Sequence, residues 1–564
     1  MLFELRTCRD IYDLSDLLDI PAKLLTYILY VVPDARKYKE HCLSKKGGGT
    51  RTIHAPMPRL KELQARLAEV LYDCQDELDF KHGPRRSFGF EKGLGILDNA
   101  ECHKRKRWVF NVDLEDFFPS LNFGRVITFF KKNKDFGLQP KIAAYVAQIA
   151  CYDGRLPQGA PSSPVISNLV CGSLDFRLAR LAAKHRCDYS RYADDITFST
   201  NLREFPSAIA MGDDTQEGWK AGPELGGVIG RSGFQINHQK TRMSHRRSRQ
   251  VVTGLVVNRH PNFRREYYKS VRSAIHHLIN AQPVTVPRFC QPFRLNCEEE
   301  DVATEPLNSL QGQIAFCANI ADRNDPRTAK EKFFKQNSVT RSFGDLLFYR
   351  YFANGGKPLI ITEGESDILY IKAALLEAKA TIPNLVEYKA GERNELLIDF
   401  FKFPNHAERT MGLAAGSGNL YLFLERYRNF LKRCNKSILN RKFVMLLDND
   451  DGLKEITKRF KKLFKKDVTV ASVDAYTIFS DLAAVVKTPH PPVGMKSAIE
   501  DFLDPAALAV TLNGKTFSPD SNFDSSKHFG KIALATHIYD NRSSYDFKSM
   551  DPILDRMYRA IGAL

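Results

Sequence analysis

The chain has 564 residues, more than one hydrophobic core holds, so two to four domains are expected. Its 43% hydrophobic content and mixed charge exclude a disordered chain, and the early apolar run at 24–32 is too short to span a bilayer. The formal net charge of +17 favours a polyanionic partner held through phosphates, and 11 cysteines without a Cys-x-x-Cys pair read as reduced thiols rather than a disulfide scaffold or zinc site. With no basic-then-apolar leader pattern, a cytoplasmic location is expected.

Helical patterns run over 11–18 and 22–32. Lys45 to Ile53 then reads as a hairpin with a glycine tip and basic shoulders, Arg51 among them. Leu60, Leu63, Leu67, Val70, Leu71 and Leu78 recur at helical spacing, which predicts a helix over 57–79 with a core-facing stripe. Asn99-Ala100-Glu101-Cys102-His103 precedes the basic run Lys104 to Arg107. A short apolar strand, Val109 to Val112, ends in the carboxylate of Asp113 and turns into the aromatic pair Phe117-Phe118.

Leu156-Pro157-Gln158-Gly159-Ala160-Pro161 is a loop that runs into an apolar helix over 165–178. Tyr192-Ala193-Asp194-Asp195 sits in an apolar frame and reads as a β-hairpin with two acids at its tip. Adjacent like charges repel, and hard oxygen ligands of this kind suit Mg²⁺. Residues 201–232 read as an insertion, and a short strand at 233–237 leads to Lys240. Arg242, His245, Arg246, Arg247 and Arg249 precede Val252-Thr253-Gly254, and the helix-rich stretch 262–350 mixes basic and aromatic residues.

Gly355-Gly356-Lys357-Pro358 marks a boundary. Beyond it, Leu359 to Ile361 reads as a buried strand followed by Glu363-Gly364-Glu365-Ser366-Asp367 and a helix. The apolar run Phe443 to Leu447 repeats the arrangement with Asp448-Asn449-Asp450, whose spacing places two acids on one side of an extended segment. Glu363, Asp448 and Asp450 are expected to converge on Mg²⁺, with Glu500 as a further ligand, Lys496 close by and a small-residue loop at 416–419.

The motifs at Asp113, at 156–164, at 192–195 and around Lys240, taken in order, resemble the palm of reverse transcriptases. Asn99-Ala100-x-x-His103 and Val252-Thr253-Gly254 resemble motifs of the retron branch, and they disfavour a group II intron-type maturase. The resemblance implies an α+β right hand of fingers and palm over 1–260, with a thumb over 261–350. It implies two Mg²⁺ ions held by Asp113, Asp194 and Asp195, with deoxynucleotides as substrates. Arg51 would meet the triphosphate, since a guanidinium binds phosphate bidentately. Phe118 would be the steric gate, Gln158 would line the templating pair, and Lys240 would serve pyrophosphate. Asn99, His103, Val252, Thr253 and Gly254 would hold a structured non-coding RNA, which is copied into branched single-stranded DNA.

The second half resembles a Toprim domain, an α/β fold with a parallel sheet found in topoisomerases, bacterial primases and nucleases. It is expected over 351–510, with 511–564 as a carboxy-terminal extension. That resemblance implies a nucleic-acid target and Mg²⁺-dependent cleavage, in the manner of a toxic effector of anti-phage defence. The competing reading is a Toprim module that binds nucleic acid without cutting it. A homo-oligomer is compatible with either.

Overall fold

The computed structural model describes residues 1–44, 50–83, 87–212, 218–283, 306–353, 355–404, 406–413, 420–469, 471, 474–489, 495–519 and 522–564, the side chains of Ser44, Arg51, His82, Pro306 and Glu455 apart. The glycine tip at 45–49, the loop at 416–419 and the Arg51 side chain therefore lie outside the described features. The chain forms two compact units, one of residues 1–267 with 320–324, the other of 268–283, 306–319 and 325–564. The helices from 268 onward, expected to form a thumb, group with the carboxy-terminal unit. One tie is the amide of Asn435, which donates to the Ile279 carbonyl at 2.9 Å.

In the first unit, strands β1 (Tyr38–Ser44) and β2 (Thr50–Pro56) pair antiparallel, with Leu43 opposite Arg51. Helix α1 (Pro58–His82) follows, started by a proline at its first position, where no amide hydrogen bond is lost. Its stripe of Leu60, Leu63, Leu67 and Leu71 is buried.

A four-stranded antiparallel sheet forms the centre: β3 (Trp108–Glu115), β4 (Asp188–Tyr192), β5 (Asp195–Thr200) and β6 (Gln235–His245), in the order β4-β5-β3-β6. Phe110, Val112, Ile196 and Phe198 are buried, as expected of central strands whose β-branched and aromatic residues pack on helices. Two helices matter for the site. These are α2 (Ile96–Glu101), ahead of β3, and α3 (Ser163–Lys184), ahead of β4.

The second unit is built on a five-stranded, mostly parallel sheet. Its strands are β9 (Leu359–Ile361), β10 (Asp399–Phe400), β11 (Phe443–Leu447), β12 (Tyr476–Ser480) and β13 (Ala483–Lys487), in the order β10-β9-β11-β13-β12. Only β12, at one edge, runs antiparallel to its neighbour. Every residue of β11 and β13 is buried, the continuous apolar reading of strands covered on both faces. Helices α4 (Glu365–Leu376), α5 (Lys531–Asp540) and α6 (Asp551–Ala563) share its core through Ile371, Leu534, Ile538, Ile553 and Met557. Residues 511–564, expected as an extension, thus supply part of the core of this unit.

Candidate active site

The first site lies at one end of the four-stranded sheet. Register places Asp113 of β3 directly opposite Asp195 of β5, so two carboxylates face each other across adjacent strands. The turn between β4 and β5 is only Ala193 and Asp194, with Ala193 in the left-handed region at φ 54°. The Leu114 amide donates to the Asp194 carbonyl at 3.0 Å, which fixes the turn against β3. Lys240 of β6 reaches across, its Nζ 2.9 Å from both oxygens of Asp113. The side chain of Asp195 opens onto the cleft, while protein surrounds most of it. Burial, then the charges of Asp194 and Asp113, push its carboxyl up to about 6, against the pull of Lys240 and Arg242.

A cleft of about 510 Å³ opens here, with Asp113, Asp195, Lys240, Arg242, Thr253 and Gly254 in its wall. Thr253 and Gly254 form the tight turn between strands β7 (Val251–Val252) and β8 (Leu255–Val256), with φ of 44° and 86°. The Thr253 hydroxyl donates to the Ile96 carbonyl at 3.1 Å and pins the turn to α2.

Other residues expected at the site fall out differently. Asn99, His103 and Val252 are 1%, 0% and 0% exposed and have no surface to offer an RNA. The His103 ring is instead a strut, its two nitrogens each 2.7 Å from a serine hydroxyl, Ser199 on β5 and Ser190 on β4. Burial holds it neutral, with its pKa lowered to about 3. Phe118 is half-buried, its ring 5.3 Å from Phe117 and 5.9 Å from Phe90. The Gln158 carbonyl accepts from the His54 amide at 2.8 Å, which ties its loop to β2, the strand that carries Arg51.

A buried polar network beneath the acidic turn was not legible in the sequence. Arg191, fully buried, makes a two-pronged ion pair with Asp175 of α3, Nε to Oδ1 and Nη2 to Oδ2 both at 2.7 Å. Its Nη1 donates to the Ala193 carbonyl at 3.1 Å, so it grips the turn from below. Asn168 extends the network, donating to the Gly89 carbonyl at 2.8 Å. A Cβ at Gly89 would stand 2.6 Å from the Ala193 nitrogen, so only glycine fits against the turn there. Loss of one partner strands a buried charge, at a cost of about 3–5 kcal/mol. Arg191→Leu is therefore expected to destabilise the first unit by that amount in urea unfolding. Tryptophan fluorescence reads this unit alone, because the chain has 2 tryptophans and both, Trp108 and Trp219, lie in it.

The second site lies at the carboxyl ends of β9 and β11, adjacent parallel strands with Ile361 opposite Met445. Glu363 and Asp448 follow these strands, and the Glu363 Oε1 accepts the Asp448 amide at 3.0 Å. Asp448 Oδ1 accepts the amide of Ile499 at 3.0 Å, and Asp450 Oδ1 that of Gly452 at 2.7 Å. Glu500, 7% exposed, pairs with Lys531 of α5 at 2.9 Å. Asp367, 8% exposed, joins them while its Oδ2 accepts the Gly364 amide and caps α4.

Burial first, and then mutual repulsion, push these acids up. Asp448 rises to about 8, Glu363 to about 7 and Asp367 to about 6. Lys496 turns away to Asp451 at 2.5 Å. Asp367 was visible as the end of Glu-Gly-x-x-Asp, but the sequence reading gave it no role. Lys531 carries no local signal. Among the described residues, no three His, Cys, Asp or Glu side chains close into a ready-made ion cage at either site.

With this geometry in view, residues 43–274 match the family model described as reverse transcriptase (RNA-dependent DNA polymerase). The first unit is thus a reverse transcriptase. The chain is 36% identical over 272 residues to the retron Ec86 reverse transcriptase of Escherichia coli, covering 48% of this chain and 78% of that one. It is 32% identical over 271 residues to the retron Mx65 reverse transcriptase of Myxococcus xanthus, where 45% of this chain matches 58% of the relative. The chain belongs to the retron reverse transcriptases. A solved telomerase of Candida albicans overlaps 55% of this chain and 60% of its own at a TM-score of 0.30 and 11% identity, and bears no weight here. The family model ends at residue 274, a few residues into the second unit.

No helix among the described residues is long and apolar enough to cross a membrane. The described cysteines are all free thiols.

Proposed function

We propose that the first unit copies a structured non-coding RNA into branched, multicopy single-stranded DNA, and that the second is a Toprim-type effector that cleaves nucleic acid in anti-phage defence. The observation that carries the polymerase reading is the pairing of Asp113 with Asp195 across β3 and β5, with Asp194 in the turn just before β5. The donor types fit divalent ions, since the hard oxygens of Asp113 and Asp195 face each other across the strands, and burial and then the charges of Asp194 and Asp113 hold the Asp195 carboxyl up. Two Mg²⁺ ions bound there would lower the pKa of the primer hydroxyl and neutralise triphosphate charge. Asp113 and Asp194 act as their principal ligands and Asp195 supports them. Lys240, already beside Asp113, supplies positive charge where pyrophosphate departs. Arg51 meets the triphosphate from the fingers, and Gln158 lies beside the templating pair. Thr253 and Gly254, in the cleft wall, are the members of their motif placed to touch nucleic acid.

Phe118 sets sugar selectivity by occupying the space of a ribose 2′-hydroxyl, braced by Phe117 and Phe90. Phe118→Ala is expected to raise ribonucleotide incorporation relative to deoxynucleotide by about 10- to 100-fold in single-nucleotide extension. An unchanged ratio rejects the assignment.

The effector reading is supported by Glu363, Asp367, Asp448 and Glu500 gathered at the carboxyl end of a parallel sheet, where such folds place ligands. This surplus of acids over the single Lys531 fits Mg²⁺. A module that only bound polyanions would gain nothing from gathering four acids, two of them buried and two half-buried, at one end of its sheet. Isolation of the protein with its nucleic acid tests the polymerase reading. Co-purified DNA joined to RNA through a branch is expected, and its absence from an active preparation rejects the branched product.

A further inference from the structure

A second concavity in the carboxy-terminal unit lies along β10 at the edge of the sheet, from Lys357 and Leu359 at the start of β9 to Lys402 beyond the end of β10. Neither Glu363 nor Asp448 lines it. It holds about 560 Å³, within the range of small-molecule sites. Tyr351, Leu396, Ile398 and Phe400 give it an apolar lining, and Lys357, Lys372, Lys402 and Arg441 give it positive charge.

Two of these cations are committed within the protein. Arg441 is a strut, with Nε to the Lys357 carbonyl at 2.9 Å, Nη1 to the Tyr351 carbonyl at 3.2 Å and Nη2 on Asp399, the carboxylate in the wall. Lys357 donates to the Leu396 carbonyl at 2.5 Å.

Lys372 and Lys402 have no carboxylate partner among the described residues. Lys372 stands half-buried on α4, with its Nζ 5.2 Å from the centre of the Phe400 ring. Its pKa is lowered by burial and by the like charges of Lys402 and Arg393, a conflict that a bound anion relieves. An apolar wall beside two ammonium groups without a carboxylate partner matches a ligand with a ring at one end and phosphate at the other.

We propose that this pocket binds a nucleoside phosphate, either a free deoxynucleotide or the phosphorylated terminal nucleotide of a DNA strand. The inference stands apart from the cleavage reading, because no acid of that site takes part.

The test uses the full-length protein in EDTA without primer or template, and follows acylation of Lys372 and Lys402 by peptide mass spectrometry. dATP or a short 5′-phosphorylated oligodeoxynucleotide is expected to protect both lysines by about fivefold or more at saturation. Protection by dATP alone assigns the free nucleotide, and protection by the oligonucleotide alone assigns the strand terminus. Absence of protection by both overturns the proposal, as does equal protection by inorganic phosphate. In a second arm, photocrosslinking of azido-dATP to the 396–404 peptide is expected to fall about tenfold in the Lys372→Gln, Lys402→Gln double variant. Primer extension should stay at the parent rate, and crosslinking that persists in the variant overturns the proposal.

Discussion

Asp194→Asn is expected to reduce DNA synthesis by on the order of a thousandfold, the scale of removing one group that stabilises transition-state charge. The measurement is primer extension on an RNA template with saturating Mg²⁺. Asp113→Asn is expected to match it. The fold should survive both changes, because the grip on the turn comes from Arg191 and from backbone hydrogen bonds rather than from these carboxylates. Unaltered tryptophan emission and an unaltered urea midpoint check that. Synthesis by Asp194→Asn at a tenth or more of the parent rate rejects the role. The pH profile gives a second handle. Without metal the Asp195 carboxyl is pushed up to about 6, so protons compete with Mg²⁺ there, and the Mg²⁺ concentration for half-maximal synthesis should rise as pH drops through that value.

The second large effect concerns the carboxylates of the other unit. Asp448, Glu363 and Asp367 have folded pKa values raised to about 8, 7 and 6. In the unfolded chain such groups ionise near pH 4. Below pH 4 both states hold the protons and the acids cost nothing. As pH climbs from 4 to 8 the unfolded state releases protons first, so stability of this unit declines and is lowest above pH 8.

Asp448→Asn removes the carboxylate whose charge is opposed most, by burial first and then by its acidic neighbours. It is expected to raise the melting midpoint by at least about 3 °C at pH 8 and to change it little at pH 4. Hydrogen exchange of the amides of Phe443–Leu447 follows this unit specifically. Mg²⁺ should raise the midpoint of the parent at pH 8, and much less that of the variant. The same substitution should abolish nucleic-acid cleavage. A variant that is less stable than the parent at pH 8, or that still cleaves, removes the acid cluster from the mechanism.

The acids were legible because they end apolar strands, and an extended backbone puts a residue at a strand end where a neighbouring strand can face it. Asp113 and Asp195 meet for that reason, as do Glu363 and Asp448. Helix α1 was legible through its leucine period. The Arg191–Asp175 pair was not, because it joins a strand to a helix and neither residue carries a local pattern. His103 was legible as part of a motif, but its work was not. The sequence offers a polar ring without saying that two serines on separate strands close around it. Lys531 and the helix over 551–563 were missed for a related cause. They reach the acid cluster and the sheet only after more than one crossover of the chain.

The order in which the two cores are completed has its own consequence. Buried contacts of the first unit run from Leu5 to Met243, whereas those around the parallel sheet need Ile553, Met557 and Ile561. Domains emerging from a ribosome fold in turn, amino-terminal first. The copying half can therefore mature while translation continues, and the half proposed to be harmful has no finished scaffold until its last helix emerges. A chain cut short before residue 551 would keep the first core and lack a finished second one.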